Sequence, residues 1–69
     1  MVTVSDGERL FAEELGRLAR AQLPHMDWDE VEPHLMLGWK TRAHADRLRW
    51  SDVRLYAHES WGRTDPHAL

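Results

Sequence analysis

A chain of 69 residues and 8.1 kDa, 42% hydrophobic, 30% charged and with a net charge of −3, has the composition of one globular domain rather than a disordered segment. It contains no cysteine for a disulfide or a thiolate metal site, and its longest apolar stretch, Leu35-Met36-Leu37-Gly38-Trp39, is far short of the roughly 20 residues that a membrane span needs. A domain this small buries only about three fifths of the surface its unfolded chain exposes, so four tryptophans are its main means of building a core.

The first residues, Met1-Val2-Thr3-Val4-Ser5-Asp6, carry neither a basic region nor an apolar run of the kind that opens a secretion signal, and a cytoplasmic location is expected. Residues 1–5 read as a tail. Ser5-Asp6-Gly7-Glu8 then has the form of a capping box and predicts a helix from residue 6. Arg9–Glu13 and Glu13–Arg17 are i,i+4 pairs, while Phe11, Leu15, Leu18, Ala19 and Gln22 line one side at the helical period. Pro24 disfavours helix at Leu23, which ends the first element near residue 22 or 23. Gly16 stands inside it at a cost of about 1 kcal/mol relative to Ala, either marking the close approach of a neighbour or having no packing role.

Beyond Pro24 the chain carries a 22-residue offset. Trp28-Asp29-Glu30-Val31 aligns with Trp50-Ser51-Asp52-Val53, Trp39 aligns with Trp61, and both copies read W-x-[DE]-V-x7-W. Every tryptophan falls in this frame, which reads as an internal repeat. Each copy is amphipathic at the helical period: Trp28, Val31, Leu35, Gly38, Trp39 and Arg42 share one arc, and Trp50, Val53, Ala57, Ser60, Trp61 and Thr64 the other. Helices are predicted near residues 29–42 and 51–62, with Asp29 and Ser51 as N-caps and each leading tryptophan just outside. Pro33 then falls at the fourth helical position and distorts the first turn, or itself begins the helix.

The expected architecture is all-α: a small three-helix bundle over residues 6–64, in which the two repeat helices form an antiparallel hairpin, the first helix covers their seam and residues 65–69 form a second tail. Antiparallel pairing sets Trp28 near Trp61 and Trp39 near Trp50. Met36 and Leu37 lie off the main arc, where the second copy has His58 and Glu59, which suits either a central helix with two neighbours or a dimer seam.

Charge divides along the chain. Residues 1–37 hold three arginines against eight acids, a net of −5, and residues 38–69 hold six bases against four acids, a net of +2. Such asymmetry steers a partner, pairs a second copy head to tail, or neutralises itself within one fold. No glycine-rich phosphate loop, H-E-x-x-H or nucleophile elbow is present. His58-Glu59-Ser60 is the one compact grouping of base, acid and hydroxyl, and successive residues on a helix point in different directions. The chain is therefore read as a non-enzyme with no cofactor and no metal.

The segment from Trp28 to Trp39, with its entering Trp, its Val and its closing aromatic, resembles segments of small uncharacterised bacterial proteins, some of them in stress-related contexts. The resemblance covers about half of the chain and implies a helical, non-enzymatic bacterial protein. The function expected is a protein-interaction module that binds a protein partner or a second copy through a helix face. His34, Met36 and Leu37 would form that face, with Arg42, Arg47 and Arg49 as rim charges. The alternative is a helix-turn-helix-like DNA-binding regulator using Arg42, Arg47, Arg49, Arg54 and Arg63, against which stand the net negative charge and a sequence pI near 5.9.

Overall fold

A computed structural model of the chain describes residues 3–41 and 48–65. Three helices make up the fold, α1 (Asp6–Gln22), α2 (Trp28–Lys40) and α3 (Trp50–Arg63), and there is no strand among the described residues.

Each helix starts where a carboxylate three residues past the N-cap can reach back to the cap's N–H. At α1 the box is complete: Ser5 Oγ accepts from the Glu8 N–H at 3.2 Å, and Glu8 Oε1 accepts from the Ser5 N–H at 3.1 Å. At α2 and α3 Glu30 accepts from the Asp27 N–H at 3.0 Å and Asp52 from the Arg49 N–H at 2.9 Å. The caps are therefore Asp27 and Arg49, two residues earlier than Asp29 and Ser51. Trp28 and Trp50 open the first turn rather than preceding it, because the acid of the W-x-[DE] motif lies at the third helical position, where its charge also meets the helix dipole. Pro33 consequently falls two residues further into α2, and the helix continues through it. The bond lost is to the carbonyl of Asp29, and since both residues are exposed, water can take its place.

The core consists of Ala12, Ala19, Trp28, Val31, Leu35, Trp39, Leu48, Trp50, Val53 and Ala57, with Trp39 1% exposed at its centre. Phe11 stacks on Trp39 with centroids 5.5 Å apart, and the Trp39 indole N–H donates to the Leu48 carbonyl at 3.0 Å. Trp28 lies 5.8 Å from Trp61, and Glu32, one turn on, takes the Trp50 indole N–H at 2.8 Å. These contacts set α2 and α3 antiparallel, as expected.

Two expectations about α1 are corrected. Its buried stripe is Glu8, Ala12, Gly16 and Ala19, whereas Phe11 and Leu15 are half-buried and Leu18 and Gln22 are exposed. And α1 does not merely cover an α2–α3 seam, for α1 and α3 approach backbone to backbone: a Cβ at Gly16 would stand 2.1 Å from the Ala57 carbonyl oxygen. Small side chains permit this approach, and the hydroxyl of the buried Ser60 donates across it to the Glu13 carbonyl at 2.7 Å. Gly16 therefore does mark a close neighbour. The larger Phe11 and Leu15 are turned toward α2, Leu15 reaching Gly38 and Phe11 reaching Trp39.

Candidate functional site

The outer face of α2 follows from its core face. With Trp28, Val31, Leu35 and Trp39 inward, the residues half a turn away, Glu30, Pro33, His34, Leu37, Lys40 and Thr41, are all exposed. Leu37 is 63% exposed, with Pro33 one turn before it and His34 three residues before it on the same side. The structure thus brings His34 and Leu37 together on one surface. It separates Met36 from them: Met36 is half-buried and packs against the core cluster, because it lies on the flank of α2 beside the inward arc.

Of the rim charges, Arg49 is exposed at the N-cap of α3, and Arg42 and Arg47 lie outside the described residues. Two other arginines of the second half are committed within the fold. Arg54 forms a bidentate pair with Glu32, Nε to Oε2 at 2.6 Å and Nη2 to Oε1 at 3.1 Å, and Arg63 approaches Glu13 at 4.0 Å. The Arg54 hydrogen bond holds the Glu32 carboxyl below the ordinary carboxylate range; partial burial opposes the shift and the Trp50 N–H adds to it.

A second constellation was not singled out from the sequence. Where α1 ends, α2 begins and α3 ends, the Arg20 guanidinium lies 4.5 Å over the Trp61 ring and Trp61 packs on Trp28. His58 stacks on Trp28 at 4.4 Å, with Arg54 6.0 Å from the same ring. Trp28 and Trp61 were paired in advance by the antiparallel register, but the cations that join them come from other turns. The available signal was Arg20 in the last turn of α1, one helix end away from Trp28.

His58, Glu59 and Ser60 are split as their succession on a helix requires. Ser60 turns inward to the Glu13 carbonyl, His58 lies on Trp28, and Glu59 is exposed. No group of three metal-ligating side chains exists among the described residues, and none of their helices is long and apolar enough to cross a membrane. Comparison with known protein families, curated proteins and solved structures yields no match.

Proposed function

We propose that this chain is a small non-enzymatic interaction module that docks a protein partner, or a second copy of itself, on the outer face of α2. The observation that carries the reading is Leu37, an apolar side chain held almost two thirds in water beside Pro33 and His34 on a helix whose opposite face buries Trp28, Val31, Leu35 and Trp39. A helix presenting an exposed apolar side chain on its outer face is a recurrent form of helix-face contact. Lys40 and Arg49 supply exposed charge near the C-terminal end of α2 and the start of α3, and a contact there is steered by a partner of negative potential.

DNA binding is the weaker reading because Arg54 and Arg63, two of the five arginines it uses, are already paired with Glu32 and Glu13. A photo-crosslinking residue placed at position 37 in the producing cell should trap a discrete protein adduct or the chain's own dimer, and the same residue at Glu59 should not. Equal trapping at both positions, or none at position 37, overturns the docking face. Elution of the purified chain with bulk DNA at low and high salt addresses the alternative: a shift at low salt that vanishes at high salt would favour the regulator.

A further inference from the structure

Three buried N–H groups have no hydrogen-bond partner among the described residues: the indole Nε1 of Trp28, the indole Nε1 of Trp61 and Nε of Arg20. All three belong to one cluster, since Arg20 lies 4.5 Å over Trp61 and the Trp61 ring, tilted by 56°, lies 5.8 Å from Trp28. The other two indoles are satisfied, Trp39 by the Leu48 carbonyl and Trp50 by Glu32. The shortfall is therefore local to one end of the bundle and of one kind, donors without acceptors. Buried donors are as a rule partnered, so a concentration of exceptions calls for an acceptor.

Charge narrows the class. Arg20 has no carboxylate partner among the described residues, whereas Arg54 on the far side of Trp28 is neutralised by Glu32. Arg20 thus brings the cluster a positive charge that no described carboxylate pairs, and neither indole can accept a hydrogen bond. A cation is excluded by the donors, and a dianion would bring a second negative charge to a chain of net charge −3. A carboxylate brings one charge, two oxygens with about four acceptor sites and no donor, and its planar geometry matches the side of a guanidinium.

We propose that Arg20, Trp61 and Trp28 form a carboxylate-binding site, the Arg20 guanidinium and the two indole N–H groups being its donors. The site is closed in the free chain. At its edge Arg20 is half-buried and His58, stacked on Trp28, is exposed. Opening it requires the exposed His58 side chain to turn off Trp28 while Arg20 stays in place as a donor. This site is separate from the Leu37 face, so its failure leaves that reading untouched.

The test follows the four indole N–H signals of the 15N-labelled full chain, assigned with single Trp→Phe variants, at neutral pH. The probes are sodium acetate, N-acetyl-trialanine with a free C-terminal carboxylate, the same peptide amidated, inorganic phosphate, and sodium chloride at matched ionic strength. Trp28 and Trp61 should shift saturably with acetate or the peptide acid while Trp39 and Trp50 stay in place. Arg20→Gln should raise the half-saturating concentration at least tenfold with the Trp39 signal unmoved, which certifies the fold. Equal affinity for acetate and peptide acid assigns a free small acid as the ligand class, and a tenfold preference for the peptide acid assigns a protein C-terminus. The proposal is overturned by a common drift of all four signals in every salt, by saturation with phosphate or the amide but not with a carboxylate, or by an Arg20→Gln chain that binds unchanged.

Discussion

Gly16 and Trp39 show how single residues set the packing in opposite ways. A methyl group at Gly16 would overlap the Ala57 carbonyl, and the obstacle is backbone, so α1 and α3 must separate to admit it. Overpacking of this kind costs about 1–3 kcal/mol, more than the roughly 1 kcal/mol that Ala gains in helix propensity. Gly16→Ala should therefore lower the melting temperature, by roughly 4–8 °C for each kcal/mol lost. Gly62, with nothing within 4 Å of its added Cβ, is the control: Gly62→Ala should leave the melting temperature unchanged or raise it slightly. Trp39 fills space instead. Its replacement by Ala should cost about 3–5 kcal/mol, comparable with the whole stability of a domain this size, and should abolish most helical circular dichroism at 25 °C. An unchanged melting curve for Trp39→Ala would mean that the ring is not the centre of the core. Leu37→Ala should lie within about 0.5 kcal/mol of the parent, as expected for an exposed position, whereas Met36→Ala should be measurably destabilising because that side chain packs on the core.

At the level of elements, α2 and α3 are joined by Glu32, which receives both Arg54 nitrogens and the Trp50 indole. Its folded-state pKa is depressed, so the stability it contributes is present above the ordinary carboxylate pKa and is lost as pH falls through that value and below. The wild-type chain should become less stable on acidification from pH 5 toward pH 2. Glu32→Gln keeps an acceptor for Trp50 but removes the charge, and should be less stable at neutral pH with a shallower acid slope. Parallel slopes for the two chains in urea unfolding across that range would show that other carboxylates govern the acid limb. The helix starts were almost wholly legible, since Ser5, Glu8, Glu30 and Asp52 act at the turns where their spacing places them. The one displacement, of the α2 and α3 caps by two residues, arose because Glu30 and Asp52, each beside an expected cap, reach back three residues to the N–H groups of Asp27 and Arg49.

Across the whole molecule the three helices are not held alike. α1 and α3 meet at backbone contact, while α2 is attached through side chains, Trp28, Glu32 and Trp39, and lacks one internal hydrogen bond at Pro33. Local opening should therefore begin in α2. Native-state hydrogen exchange should find the amides of residues 34–37 less protected than those of Ala12–Ala19 and Val53–Ala57, and equal protection throughout would argue for a single cooperative unit. The amino-acid sequence by itself determined the helix count, the start of α1, the starts of α2 and α3 to within two residues, and the inward arcs that carry the tryptophans, because capping and a 3.6-residue period are properties of neighbours along a chain. It also held the Trp28–Trp61 pairing, through the 22-residue offset and the short connection between the two copies. Only the tertiary structure decided which pair of helices lies closest, that Met36 turns inward, and that Arg20 joins Trp61 and Trp28 in one cluster of buried donors. Those outcomes depend on how small residues on one helix meet a backbone on another, and periodicity within either helix carries no measure of that distance.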